Sequence, residues 1–435
     1  MRVSFQPTMG SPATTRVTRA VRTVEPWGGR AGAKSGGIDR RLANILQRIV
    51  APAGVRVELW DGHAPLSAPQ NPLGSMVVGD RRTILGLIVN PDIAFGEAYM
   101  AGRLQIRGPF EPVLEALSRL SLPSGSWRER LASAMAVPNT LNGARRNVHH
   151  HYDLGNDFYA LWLDRELVYT CAFFDRPDVG LEAAQRAKLD RVCQKLQLQP
   201  GETVVEAGCG WGALALHMAR HYGVRVTAFN VSNEQLQYAR ARAEREHLTD
   251  LVTFINDDYR NVRGRFDAFV SVGMLEHVGL AHFHSLATVL HDTVKRDGGR
   301  GLLHFIGRDT PRPLNAWIRR RIFPGAYPPT LAEVSTRVLA PAEMSVVDVE
   351  NLRLHYAQTL AHWSERFAAV KDQVSLTYGD AFQRAWELYL AGSQAAFATG
   401  WVQLFQVVFA PREGAPPFWT RDVIPHTSRA IDDPL

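Results

Sequence analysis

The sequence predicts an α/β protein: a doubly wound, Rossmann-like domain, preceded by a smaller α+β N-terminal domain and followed by a helical C-terminal elaboration. Three observations carry that expectation. From His149 onward, short apolar strands alternate with amphipathic helical segments. The first strong strand ends in a glycine-rich turn, Gly208-Cys209-Gly210-Trp211-Gly212, that runs straight into a helix. Ahead of it, residues 41–120 have a weaker mixture of helical and strand periods punctuated by Pro and Gly, and 435 residues are more than one ordinary core accommodates.

In chain order, residues 1–40 read as a disordered basic arm. They are rich in Gly, Ser, Thr and Pro, and their seven basic and two acidic residues hold five of the chain's six net positive charges. Such an arm suits an anionic surface, either nucleic acid or lipid headgroups. Residues 41–120 form the accessory domain, with a helix over Arg41–Val50, strands over Val55–Trp60 and Thr83–Val89, and short helices over Phe95–Leu104 and Val113–Leu120. Residues 121–148 are a linker. In 149–435, helices are expected over Gly180–Leu196, Ala213–His221, Asn233–His247 and Ala281–Val294. Strands are expected over Thr203–Glu206, Val224–Phe229, Val252–Asn256, Phe266–Val272 and Gly301–Ile306. From Asn315 the chain reads as mostly helical.

Composition excludes several classes. Apolar residues make up 46% and charged residues 21%, and the mean hydropathy is −0.16, which are globular values. No uncharged apolar run reaches the roughly 18 residues of a membrane-spanning helix. Three cysteines, Cys171, Cys193 and Cys209, make neither a disulfide framework nor a zinc spacing. His149, His150 and His151 are adjacent and cannot all face one ion, so no metal is expected. No apolar core of a secretory signal is visible, and a reducing, cytoplasmic setting is expected.

The glycine turn has a chemical reading. Glycine after a strand lets backbone approach a ligand closely, and the following helix N-terminus faces it. An apolar strand, an acidic residue two positions before the first Gly, then G-C-G-x-G, resembles the nucleotide signature of class I S-adenosylmethionine (SAM) methyltransferases. On that resemblance Gly208, Gly210 and Gly212 line the methionine and adenosine parts of the cofactor, and Glu206 accepts from its ammonium. Asn230, at the end of the second strand, and Gln235 meet the ribose. Asp258 and Tyr259 lie near the adenine.

Further segments are similar to one family. These are His151–Tyr159, Tyr169–Phe174, Ser271–Gly279, Leu303–Gly307, Ile322–Gly325 and His355–Leu360. Together with the glycine turn they resemble the cyclopropane-fatty-acyl-phospholipid synthase family, which includes the mycolic acid cyclopropane synthases. The resemblance implies SAM-dependent addition of a methylene across a cis double bond of a phospholipid acyl chain, through a carbocation deprotonated by bound bicarbonate. The family's bicarbonate ligands carry over as Cys171, Glu276, His304, Ile306 and Tyr356, with Cys171 and Ile306 acting partly through backbone. Tyr169 and Thr170 join the cofactor site. Tyr169, Phe174, Phe305, Trp317 and Tyr356 are candidates for stabilising a cation through aromatic faces.

The resemblance also implies a bilayer with unsaturated, anionic lipid as partner, peripheral association with the inner face of the membrane, no nucleic acid, and a homodimer. The segment Trp317–Phe323, three arginines among aromatic and aliphatic residues, suits a membrane interface. The family commonly has Thr where Phe305 stands, Asp for Glu206, Thr for Asn230 and Ser for Thr170. Those departures keep a non-cyclising fatty-acyl methyltransferase open as an alternative. A small-molecule or RNA heteroatom methyltransferase and a catalytically silent lipid-binding module are the readings of other classes.

Overall fold

The computed structural model describes residues 34–120, 154–415, 417, 418 and 421. Residues 1–33 of the expected arm, the expected linker and His149–His151 lie outside the described residues.

The accessory domain begins earlier than expected. Helix α1 (Gly37–Val50) starts inside the stretch read as an arm. The buried Asp39 carboxylate accepts the Gly36 N–H at 2.8 Å and the Arg81 Nε at 2.6 Å, which ties residues 36–40 into the fold. Strand β1 (Val55–Leu59) pairs in parallel with β2 (Gly74–Val78). The stretch expected as a strand over Thr83–Val89 is instead helix α2 (Arg81–Val89). Asp80 caps it by accepting the Thr83 N–H at 2.7 Å, and Thr83, Ile84 and Leu87 turn inward at helical spacing. Helix α3 (Pro91–Met100), strand β3 (Leu104–Arg107), antiparallel to β2, and helix α4 (Phe110–Ser118) complete the domain around its own apolar core.

The second domain opens with α5 (Asn156–Ala160) and α6 (Leu181–Lys195). The expected alternation follows: β4 (Thr203–Ala207), α7 (Ala213–Tyr222), β5 (Arg225–Asn230), α8 (Asn233–Arg245), β6 (Val252–Asn256) and β7 (Ala268–Val272). Next come α9 (Leu275–Val278), α10 (Phe283–Thr293), β8 (Arg300–Gly307), α11 (Ala316–Arg321) and α12 (Leu331–Val334). The C-terminal part is not simply helical. Strand β9 (Met344–Asn351) precedes the long helices α13 (Arg353–Tyr378) and α14 (Asp380–Thr399), and β10 (Gln403–Pro411) returns into the sheet. The sheet order is β6-β5-β4-β7-β8-β10-β9, with β10 antiparallel to both its neighbours. Strand β10 is buried along its whole length, including Gln403 and Gln406, and so carries apolar residues on both faces.

Order reverses between β4 and β7. The carboxyl ends of those two strands therefore part, and an open crevice forms where α/β sheets bind ligands.

The accessory domain docks on the other side of that crevice. Gly96 on α3 packs against Trp317 on α11 so closely that an added Cβ would lie 2.3 Å from the indole Cγ. Beside it Arg321 forms a bidentate pair with Glu97, both bonds 2.7 Å, and Tyr99 donates to Glu387 at 3.1 Å. Trp317 and Ile322 are consequently buried in this junction, not presented for insertion into a bilayer as their composition suggests.

Candidate active site

A cavity of about 1860 Å³ opens in the crevice. That exceeds the several hundred Å³ of an ordinary small-molecule site, so it holds more than one nucleoside-sized ligand. Its polar end is lined by the glycine turn, Glu206, Asn230, Gln235, Asp258, Tyr259, Tyr169, Thr170, Glu276, Ile306 and Tyr356. Its apolar end runs beneath the accessory domain, along Leu46, Ile49, Leu87, Phe95 and Leu117.

The three turn glycines have different reasons to be glycine. All have positive φ, at 85° for Gly208, 54° for Gly210 and 84° for Gly212. A Cβ on Gly212 would sit 2.8 Å from Phe254 and 2.9 Å from Ala239, so this glycine closes the helix onto the sheet. Around Gly210 a Cβ meets nothing within 4 Å, because that position faces the cavity. The Gly208 and Cys209 N–H groups both donate to the Phe229 carbonyl, at 2.9 and 3.1 Å, which pins the turn to β5.

Glu206 is buried at the end of β4, and its Oε2 has no hydrogen-bond partner among the described residues. Burial pushes its carboxyl up to about 8, against the opposing pulls of Lys188 and the Ala215 N–H. A ligand ammonium placed there would satisfy the free oxygen, as the sequence leads one to expect. Lys188 itself was not foreseen. It lies at the buried face of α6 with its Nζ 3.0 Å from Thr170 Oγ1, and burial lowers its ammonium to about 8. Its sequence signal is its place in the apolar row Leu181, Ala184, Lys188, Val192, where a lysine is out of pattern.

Other expected cofactor residues lie on the cavity wall with qualifications. Asn230 spends its amide on structure: its Nδ2 donates to the Gly210 carbonyl at 3.2 Å and to Gln235 Oε1 at 2.8 Å. Its part is therefore to hold the turn and orient Gln235. Asp258 lies on the cavity wall with its two carboxylate oxygens held by Arg260, at 2.7 and 2.8 Å, which fixes the orientation of the carboxylate. Tyr259 keeps a buried hydroxyl with no partner among the described residues. The hydroxyls of Tyr169 and Tyr389 are 2.7 Å apart. Unpartnered groups at Glu206 and Tyr259, with open space at Gly210, fit a nucleoside carrying an ammonium.

The expected base site is brought together in part. Strand alternation sends His304 and Ile306 to one face of β8 and Leu303 and Phe305 to the other. Phe305 thus belongs to the opposite core, and Phe174 stacks on His362 at 5.5 Å; neither lines the cavity. Glu276, on α9 just past β7, accepts the Ile306 N–H through Oε1 at 2.5 Å. That backbone donor is therefore engaged by the carboxyl, not free for an anion. Glu276 Oε2 is buried without a partner among the described residues, and burial pushes the group up to about 7.

His304 bonds through Nδ1 to Gln406 Nε2 at 3.0 Å, which leaves Nε2 buried and without a partner among the described residues. Burial lowers its pKa, so the ring is neutral. Tyr356 is on the cavity wall, against Phe397 at 4.4 Å between ring centroids. Below it on α13, Leu360 and Trp363 are core residues. The Cys171 thiol, raised in pKa by burial, is 3.1 Å from the Ala172 carbonyl. Tyr356 and Glu276 line the cavity, whereas the buried Cys171 and His304 do not. A protonated or proton-donating oxyanion suits the free oxygen of Glu276; a bare anion beside an ionised carboxylate does not.

Comparison with known proteins agrees with this geometry. The sequence pattern of the mycolic acid cyclopropane synthetase family matches residues 140–407. A probable fatty acid methyltransferase of Pseudomonas putida is 36% identical over 85% of this chain and 94% of its own length. The cyclopropane-fatty-acyl-phospholipid synthase of Escherichia coli K12 is 36% identical over 73% of this chain and 83% of its own. Among solved structures, the cyclopropane synthase MmaA2 of Mycobacterium tuberculosis superposes with a TM-score of 0.58 at 30% identity, over 61% of this chain and 98% of its own. Carrying the α/β fold of the SAM methyltransferases, the chain belongs to the mycolic acid cyclopropane synthetase family.

Proposed function

We propose that the chain transfers a methyl group from SAM to a carbon of a cis double bond in an unsaturated phospholipid acyl chain, and that the product closes to a cyclopropane. The observation that carries the reading is Glu276. It is a buried carboxyl held by the Ile306 N–H, with one oxygen unsatisfied, on the wall of a cavity that joins the glycine turn to a long apolar arm. A related cyclopropane synthase, CmaA1, has been solved with S-adenosylhomocysteine and a long-chain cationic detergent, CTAB; it is 29% identical to this chain.

An alkene is a weak nucleophile, and attack demands alignment in a dry site. The apolar walls exclude water, and Glu206, Tyr259 and the glycine turn orient the cofactor's two ends. SAM supplies an electrophilic methyl; the alkene's π electrons form the new C–C bond as the C–S bond breaks, which leaves a cation on the acyl chain. Tyr169, Trp317 and Tyr356 are the aromatic groups on the cavity wall that can face it. Ring closure needs a proton removed from the new methyl. Bicarbonate, donating its own O–H to Glu276 Oε2, would supply that base, with neutral His304 and the Tyr356 hydroxyl near it. The Cys171 thiol stays protonated and takes no covalent part.

A bilayer substrate places the enzyme at the cytoplasmic membrane face as a peripheral protein, with anionic lipid as partner. No helix among the described residues is long and apolar enough to cross a membrane. A homodimer belongs to the same proposal.

A second reading is methylation of the same alkene without ring closure, giving a branched chain; the Pseudomonas putida relative is named a probable fatty acid methyltransferase, with no cyclopropane in its name. The test is incubation of purified protein with labelled SAM and vesicles of monounsaturated phosphatidylglycerol, then mass spectrometry of the released acyl chains. A gain of one CH₂ with a ring supports the first reading, and a branched olefin the second. Label that reaches only RNA or an amine defeats both.

A further inference from the structure

Two arginines in the cavity wall have no role in the scheme above. Arg308 directly follows β8, two residues beyond Ile306, so its Cα is about 7 Å further along the chain. The residue is 6% exposed and lines the cavity. Among the described residues its guanidinium has no ion pair, and its buried Nε has no hydrogen-bond partner. Burial and the neighbouring Arg312 lower its pKa to about 10. Arg312 lines the same wall, with its guanidinium 4.0 Å from the Trp401 ring centroid and a second buried, unpartnered Nε.

The acids nearby, Asp92 and Asp309, act on the two arginines through their charge but form no ion pair with them among the described residues. Asp92 accepts from Asn315 Nδ2 at 2.6 Å and from the Ala316 N–H at 3.0 Å, and Asp309 accepts from Gln403 Nε2 at 3.0 Å. Arg312 is half-buried and donates through Nη2 to the Trp401 carbonyl at 3.2 Å, whereas the buried Arg308 guanidinium has no side-chain hydrogen bond among the described residues. A buried guanidinium without a directly bonded carboxylate is suited to an added anion. The planar fork of arginine matches the oxygens of a phosphate in particular. The lining also includes an apolar stretch, with Leu87, Phe95 and Leu117, beside polar residues such as Asn90 and Asn315. A ligand with an anionic head and a greasy tail satisfies both surfaces.

We infer that Arg308 and Arg312 form the phosphate-recognition site for the substrate's headgroup, at the end of the cavity away from the glycine turn. The inference rests on the lipid reading above and narrows it: the phosphodiester, not only the acyl chain, is read. A free phosphate ion has the same chemistry, so the test separates the two.

The full chain is given phosphatidylglycerol or the diacylglycerol with the same monounsaturated chains, each in neutral detergent micelles. Methyl incorporation gives kcat/KM for each. Wild type is expected to prefer phosphatidylglycerol at least tenfold. Arg308→Gln is expected to collapse that ratio by tenfold or more, mainly through KM, with partial recovery in Arg308→Lys and unchanged binding of S-adenosylhomocysteine. An unchanged ratio in Arg308→Gln and Arg312→Gln overturns the inference. So does protection of wild type against heat by millimolar inorganic phosphate without any effect on the KM for phosphatidylglycerol. Should wild type modify neither lipid, the proposed function fails. Calorimetric binding of dihexanoyl phosphatidylglycerol then still decides the arginines: loss in Arg308→Gln supports them, and retention overturns them.

Discussion

Glu276 and Ile306 are joined by one hydrogen bond between the segment after β7 and the neighbouring strand β8: Oε1 of the carboxyl accepts the backbone N–H at 2.5 Å, while Oε2 stays buried without a partner among the described residues. The bond fixes the carboxyl's orientation from the sheet, so its second oxygen is aimed by backbone geometry. A carboxyl pushed up to about 7 by burial can accept or share a proton near neutral pH, which an ordinary surface glutamate cannot.

Glu276→Gln retains the shape and the Ile306 bond but removes the proton acceptor. Turnover is expected to fall by about 10²- to 10⁴-fold. Calorimetric affinity for S-adenosylhomocysteine is expected to stay within about twofold. A parallel collapse of cofactor binding would place Glu276 in the cofactor site instead.

Two glycines of the turn, Gly212 and Gly210, separate packing from binding. Gly212→Ala must force a Cβ against Phe254 and Ala239 in a left-handed conformation, and is expected to cost roughly 2–5 kcal/mol of stability. Gly210→Ala meets no protein atom and is expected to cost only about 1–2 kcal/mol. It should nevertheless lose cofactor affinity at least tenfold, because its methyl enters the cavity. Denaturant melts and titration calorimetry on both variants check the contrast.

The buried carboxyls give the ligand-free protein a pH signature. Glu206 and Glu276 are raised to about 8 and about 7 in the folded state, from 4.5 in the unfolded chain. Between those limits the folded chain holds protons that the unfolded chain has released, so stability falls as pH rises through the window. Lys188, lowered to about 8, acts above it with the opposite sign. Denaturation midpoints measured across the neutral range should decline with pH, and more shallowly in Glu206→Gln. Affinity for S-adenosylhomocysteine should rise with pH up to about 8, as Glu206 ionises to meet the ligand ammonium.

The domain junction is set by packing more than by charge. Gly96→Ala brings a methyl into the Trp317 indole and is expected to lower both melting temperature and turnover. Glu97→Gln breaks a pair whose arginine is 38% exposed, and is expected to cost about 0–1 kcal/mol. If Glu97→Gln disrupts activity more than Gly96→Ala, the junction is electrostatic.

The sequence by itself determined the alternating strands and helices from β4 to β8, the glycine turn, and the place of Glu206 and Glu276 at strand ends. Those features are local: a period of two or 3.6 and a glycine at positive φ are written within a few residues. It misled at Thr83–Val89, where β-branched residues read as a strand until the Asp80 cap and the inward Ile84 and Leu87 make a helix. It missed β10, because a central strand buried on both faces does not show the polar–apolar alternation of a half-buried strand. Only tertiary structure decided that Asp258 is held by Arg260, that Asn230 orients Gln235, and that Lys188 faces Thr170. It also decided that Trp317 packs under Gly96, and that Arg308 forms no ion pair among the described residues. Partners such as these are distant in sequence, and whether a polar group is satisfied depends on which other elements arrive beside it.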